Sequence, residues 1–371
     1  MKKILFILGT RPEVIKLAPL YLYFKSQKDF AVYLCNTEQQ KHLSRQTLRF
    51  FNIKADFSLN VMKPNQSLPS VNARLLTKLD ELYEKINLDA VIIQGDTMSA
   101  YCGALSAFYR KIPIFHIEAG LRSGNIYEPF PEEAMRLMIS KIASLHFCPT
   151  KQDAKNLLAE GIHHSKVFVT QNTVIDAFSY LDSKELAKST LRLKKLGLNL
   201  MGKNQVCLVT LHRRENHDKI CELAAALQEL ARCNPHTQFI LPLHPNPNVR
   251  GVLQNTLSHF PNIILTESLN YIDLINVLKA SHLVLTDSGG IQEEAPSFKV
   301  KVLVLRNFTE RIAGVQLGFS ELVGNNKENI IQRGHYFLNH SYTLESQNPY
   351  GDGLASQRIY RHIKDFLGVK Q

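Results

Sequence analysis

Short apolar runs that stop abruptly at glycine, histidine or a charged residue constrain this chain more than any other feature. In the first half they lie at 3–9, 31–37, 90–96, 113–120, 145–150 and 166–172. In the second they lie at 205–212, 238–244, 263–266, 282–287 and 300–306. Each is rich in Val, Ile, Leu or Phe on both faces, so both faces must be covered, as in a strand of a parallel sheet. Helix-length segments separate them: 12–25, 68–86, 99–109 and 132–143, then 218–233, 247–258, 271–279 and 291–296. Pro12 suits a first helical position, where its missing N–H costs nothing. The segment 183–203 lacks strand character and is expected to form a helix and loop near a domain junction. Each half thus reads as an open α/β sheet covered by helices. For 371 residues, two such sheets fit better than one.

In open α/β sheets, ligands bind beyond the carboxyl ends of the strands. Here those ends carry Gly9-Thr10-Arg11-Pro12-Glu13 with Lys16, Gly95-Asp96-Thr97, and His116 to Arg122. In the second half they carry His212-Arg213-Arg214-Glu215, His244-Pro245-Asn246-Pro247, Asp287-Ser288-Gly289-Gly290, and Arg306 with Thr309-Glu310-Arg311. That convergence is a stronger signal than any single motif. Ser288-Gly289-Gly290, ahead of a helix starting near Ile291, suits a phosphate cradle, because glycines admit an anion close to helix N–H groups. An ordinary strand-to-helix turn has the same composition. Glu293 and Glu294 suit the dipole of a first helical turn, or one of them suits a ribose. Arg11 can fork on a phosphate or stand as a solvated loop charge. Lys16 lies one and a half turns further on, facing partly away from Arg11.

Asp96, Glu118, Glu132 and Glu133 are acids at strand ends and in the loops between, where a general acid or base is useful. Each has a structural alternative: Asp96 suits a cap for the helix after Thr97, and Glu132 or Glu133 the first turn after Pro131. His212 closes an apolar strand before two arginines, while the prolines around His244 read as a rigid loop.

Charge and composition narrow the partner. Lys plus Arg is 44 and Asp plus Glu 33, a formal net charge of +11. That balance suits nucleic acid, a membrane surface or a phosphorylated small molecule. The basic residues are scattered rather than interleaved with aromatics along one strand face, which argues against nucleic acid. There is no 18-residue apolar run, so no membrane span or membrane partner is expected. The six cysteines form no C-x-x-C pair and no zinc-type spacing, which points to a reducing compartment and no structural metal. The apolar run near the start ends at Gly9, too short for a signal peptide, and a cytoplasmic location is expected. G-x-G-x-x-G and G-x-x-x-x-G-K-[ST] are both absent, against a nicotinamide cofactor and a P-loop ATPase; no cofactor is expected.

With these residues in view, the chain resembles the non-hydrolysing UDP-N-acetylglucosamine 2-epimerases. The matches are GTRPE (9–13) with Lys16, QGDT (94–97), HIEAGLRSG (116–124), PFPEEAMR (129–136), NTVIDA (172–177), HRREN (212–216), LTDSGGIQEEAPS (285–297), LRNFTER (305–311) and NPYGDG (348–353). They are colinear and span nearly the whole chain. The resemblance implies two Rossmann-like parallel-sheet domains facing a cleft, the GT-B-like arrangement of many glycosyltransferases. The first would cover 1–171 and the second 172–354, with the C-terminal helix 355–371 packing back on the first. It implies a UDP-sugar substrate, a homodimer, and epimerisation at C2 by elimination of UDP to 2-acetamidoglucal followed by re-addition.

Carried over residue by residue, Asp96, Glu118, Glu132 and His212 match catalytic positions, with His212 steadying the departing diphosphate. Arg11, Arg136, Ser288, Gly289, Gly290 and Glu294 match UDP-binding positions, Glu294 on the ribose, and Lys16 matches a further active-site position. The chain departs from the family pattern at Leu211, Met135 and Ile312-Ala313. The run Gln39-Gln40-Lys41-His42 and Asn65 also depart from the residues that bind an activating second UDP-sugar in many relatives. A hydrolysing relative, a glycosyltransferase of the same fold and a nucleotide-sugar-binding regulator are the competing readings.

Overall fold

The computed structural model describes residues 1–369 apart from His212, His244 and Pro245. The chain forms two compact units, Met1–Tyr180 with Tyr350–Gln371, and Leu181–Pro349.

In the first unit β1 (Lys2–Leu8) leads into α1 (Arg11–Gln27), then β2 (Phe30–Asn36), α2 (Lys41–Phe50), β3 (Phe57–Ser58), α3 (Leu68–Lys85), β4 (Ala90–Gln94) and α4 (Met98–Tyr109). There follow β5 (Ile114–Ile117), α5 (Glu132–Ile142), β6 (Leu145–Cys148), α6 (Lys151–Ala159), β7 (Val167–Val169) and α7 (Thr173–Asp176). The strands pair in the order β3-β2-β1-β4-β5-β6-β7, and every pairing is parallel. Ile4 to Leu8 and Ala90 to Ile93 are wholly buried, as runs apolar on both faces require.

The second unit contains α8 (Ser183–Lys195), β8 (Gln205–Thr210), α9 (Ile220–Cys233), β9 (Thr237–Pro242), α10 (Pro247–Leu257), β10 (Ile263–Thr266), α11 (Tyr271–Ala280) and β11 (Leu283–Thr286). It closes with α12 (Gly289–Glu294), β12 (Lys301–Val304), α13 (Ile312–Gln316), β13 (Ser320–Leu322) and α14 (Lys327–Asn339). Its order is β10-β9-β8-β11-β12-β13, again all parallel. The expected helix within 183–203 is α8, the opening element of this unit. Its core packs α9, α10 and α14 side chains such as Leu227, Leu230, Leu253 and Phe337 against Val209, Phe239 and Leu285.

The segment 172–180, placed in the second domain by the sequence reading, clusters with the first unit, as does the stretch from Tyr350. The causes are local. The Asn172 backbone N–H donates to the Tyr350 carbonyl at 2.7 Å, and Asp176 accepts from the backbone of Ala355 and Ser356 at 3.2 and 2.6 Å. These contacts anchor the final helix, α15 (Ala355–Phe366). Its Tyr360 ring meets Phe24 edge-on at 4.9 Å, and Lys364 donates to Asp29 at 2.7 Å. None of the described helices is long and apolar enough to cross a membrane.

Candidate active site

Strand order reverses between β1 and β4 in the first sheet and between β8 and β11 in the second. Such switch points leave a crevice at the carboxyl ends of the strands. Parallel register sets Leu8 beside Asn36 and Gln94 beside Ile117, so the loops after β1, β2, β4 and β5 emerge together.

The loop after β1 is organised by Glu13, which is wholly buried. One carboxylate oxygen accepts from the Gly9 and Thr10 backbone N–H groups at 3.0 and 2.8 Å and from the Thr10 hydroxyl at 2.8 Å. The other accepts from the Thr97 hydroxyl at 2.7 Å. Burial pushes this carboxyl up to about 7, against hydrogen bonds that favour the charged form. Half-buried Arg11 opens α1, and its backbone N–H donates to the Gln40 side chain at 3.0 Å. Gln39 accepts from the Ser99 backbone and hydroxyl at 3.1 and 2.7 Å, tying in the loop after β2.

After β4, Asp96 does not cap α4. Thr97 takes that place, accepting from the Ala100 N–H at 3.0 Å, while Asp96 accepts from Arg136 Nε at 2.6 Å. The hydroxyl one residue on reaches the free N–H groups, leaving the Asp96 carboxylate to the guanidinium. Arg136 also donates to Glu133 at 2.8 Å. α5 begins at Glu132, directly after Pro131, so both glutamates occupy its first turn as one alternative foresaw; Glu132 is half-buried and Glu133 buried.

Glu118 stands just past β5 with φ +62°, a left-handed conformation that a side chain adopts at a cost. Its carboxylate is buried against Lys16, which forms an ion pair with it, against the Gln94 amide, and against Asn172, which donates at 3.1 Å. Lys16 thus points to Glu118 from α1. Behind them, His116 Nε2–H donates to the Gly95 carbonyl at 2.8 Å, and burial lowers this imidazole to about 4, so it is neutral. A Cβ on Gly120 would sit 2.2 Å from the Asp153 carbonyl oxygen, and its φ is +89°, so this turn admits only glycine.

In the second unit, Thr286 and Thr210 hydroxyls meet at 2.5 Å and Thr286 accepts from the Ser288 N–H at 2.9 Å. α12 starts at Gly289, two residues earlier than expected, with Ser288 as its N-cap. Glu293 and Glu294 therefore lie at the far end of this six-residue helix and not in its first turn, so the helix dipole does not favour their charge. Glu293 instead pairs with Arg311 at 3.0 Å, and Glu294 is buried. A Cβ on Gly289 would meet the Arg311 guanidinium carbon at 2.7 Å, so the glycine is needed for that arginine to cross α12. Asp287 accepts from the Arg213 N–H at 2.9 Å and from Asn216 at 3.0 Å. His212 and His244 lie outside the described residues.

The first sheet thus brings together Lys16 with Glu118 and Asp96 with Arg136. Glu13, Gln94 and Asn172 are the residues to which sequence reading gave no role at this site, while Glu133, an acid–base candidate there, is a partner of Arg136. Gln94 and Asn172 carried a usable signal, each being polar where an apolar run ends.

Two open parallel sheets, each with polar and charged side chains gathered at its switch point, are the build of a nucleotide-binding α/β enzyme of GT-B-like architecture. The family profile of UDP-N-acetylglucosamine 2-epimerase matches residues 23–364. The chain is 41% identical over 363 residues to UDP-N-acetylglucosamine 2-epimerase of Neisseria meningitidis serogroup A, covering 96% of this chain and 98% of that one. A crystal structure of the Neisseria meningitidis enzyme bound to UDP-GlcNAc matches with a TM-score of 0.90 at 41% identity, covering 98% of this chain and all of that one. A Methanocaldococcus jannaschii enzyme in complex with UDP-GlcNAc and UDP matches with a TM-score of 0.85 at 31% identity, covering 98% and 100%. The chain belongs to the UDP-N-acetylglucosamine 2-epimerase family.

Proposed function

We propose that this protein interconverts UDP-N-acetylglucosamine and UDP-N-acetylmannosamine at C2 without net hydrolysis. The observation that carries the reading is the pair of ion pairs Lys16–Glu118 and Asp96–Arg136 at the carboxyl ends of the first sheet, in a chain 41% identical to an epimerase whose structure holds UDP-GlcNAc.

No carbonyl acidifies the C2 proton, so direct abstraction to a carbanion is unfavourable. Elimination avoids it. A base takes the C2 proton, the C–H electron pair becomes the C1=C2 bond, and the C1–O bond breaks with its electrons leaving on UDP. The products are 2-acetamidoglucal and UDP. A proton then returns to the opposite face of C2, and a diphosphate oxygen re-forms the bond to C1. Asp96, Glu118 and Glu132 are assigned to the proton transfers, which contribute typically 10²–10⁴-fold each. Arg11, Arg136, Lys16, Ser288, Gly289 and Gly290 are assigned to holding substrate and UDP, Glu294 to the ribose, and His212 to the departing diphosphate. The enzyme is read as a cytoplasmic homodimer that needs no cofactor.

Incubation with UDP-N-acetylglucosamine in D₂O tests this. Deuterium should enter C2 while the UDP-sugar stays intact. Absence of exchange sinks the reading. Stoichiometric release of UDP and free N-acetylmannosamine would make the enzyme a hydrolysing relative, and sugar transfer without exchange a glycosyltransferase.

A further inference from the structure

Glu13 is a buried carboxylate that the proposed chemistry does not use. It is fully enclosed, yet it joins two loops that carry assigned residues. One oxygen is saturated by three donors of the Arg11 loop: the Gly9 and Thr10 N–H groups and the Thr10 hydroxyl. The other reaches 84 residues along the chain to the Thr97 hydroxyl, next to Asp96. Thr97 in turn accepts from the Ala100 N–H and so fixes the start of α4. A helix cap alone would need only the first of these two oxygens.

We propose that Glu13 is a positioning residue that sets where the Asp96 carboxylate stands relative to Arg11, acting through Thr97. The inference rests on the epimerase reading above. Burial raises the carboxyl to about 7, so this contact is kept at an electrostatic cost that a cap at the protein surface would avoid.

Glu13→Gln separates the two functions of the side chain. Its amide oxygen can still serve the three donors of the Arg11 loop, but its NH₂ group can only donate to the Thr97 hydroxyl, so the charge-assisted contact is reversed and weakened. The Asp96 loop should then shift while the Arg11 loop stays. Misplacement of a reacting group by about 1 Å costs on the order of 100-fold, so kcat should fall about 10–100-fold with KM for UDP-N-acetylglucosamine changing less than about threefold. Thr97→Val should lower kcat in the same way. The double variant should be no slower than the slower single one, because both remove one contact. Thr150→Val removes a comparable cap from α6 without touching either loop and should leave kcat unchanged.

Unchanged kcat in Glu13→Gln, or losses that multiply in the double variant, overturn the inference. Should Glu13→Gln fail to fold, Thr97→Val decides: a kcat loss beyond that of Thr150→Val supports it and its absence overturns it. Lack of C2 exchange in the wild-type protein would sink the epimerase reading instead, so the two failures are distinguishable.

Discussion

The ammonium of Lys16 on α1 and the carboxylate of Glu118 after β5 form an ion pair across 102 residues of chain, with side chains only 7% and 5% exposed. Removing one partner of a buried pair costs about 3–5 kcal/mol, because the other charge stays behind without its counter-ion. Lys16→Met and Glu118→Gln should each destabilise by about that amount in urea unfolding. The double variant should lose clearly less than their sum. Additive losses would mean that the two groups are not coupled.

Asp96→Asn tests the second carboxylate. The amide can still contact Arg136 through its oxygen, so folding should be preserved. Turnover should fall by about 10²–10⁴-fold if Asp96 transfers a proton. A wild-type rate would return Asp96 to the role of an Arg136 partner alone.

The sheets were legible because parallel strands buried on both faces leave long apolar runs, as at Ile4 to Leu8 and Ala90 to Ile93. β3 and β13, of two and three residues at sheet edges, left no such run, since backbone pairing alone defines them. The site was legible as a set of strand ends but not as a set of contacts. That Asp96 turns to Arg136, and that Lys16 finds Glu118, depend on loops meeting across a sheet, which no local spacing encodes. The early start of α12 escaped because Ser288 caps it through backbone conformation, its side chain making no capping hydrogen bond.

Gly289→Ala should be costly despite its small size. The added methyl would fall 2.7 Å from the Arg311 guanidinium carbon, and Arg311 is held by Glu293 at 3.0 Å and Glu310 at 3.3 Å. Overpacking of this kind typically costs about 1–3 kcal/mol. Denaturation should show that loss, and calorimetry should show weaker UDP binding if α12 forms the anchor. Unchanged UDP affinity in a folded variant would count against the cradle.

His146 makes a pH test with a defined sign. It is fully buried, and neither ring nitrogen has a hydrogen-bond partner among the described residues. Burial lowers its imidazole from 6.5 to about 3. Below pH 6.5 the unfolded chain takes up a proton that the folded protein refuses, so stability falls as the pH drops. At pH 5 the loss is about 2 kcal/mol for this one group. His116 acts in the same direction. Glu13 acts in the opposite one: raised from 4.5 to about 7, it binds its proton first in the folded state, so its contribution grows as the pH falls through 7 towards 4.5. Comparing His146→Gln with the wild type cancels those shared terms. The variant should lose about 2 kcal/mol less than the wild type between pH 7 and pH 5 in urea unfolding. Parallel curves would mean that His146 is not held neutral by the fold.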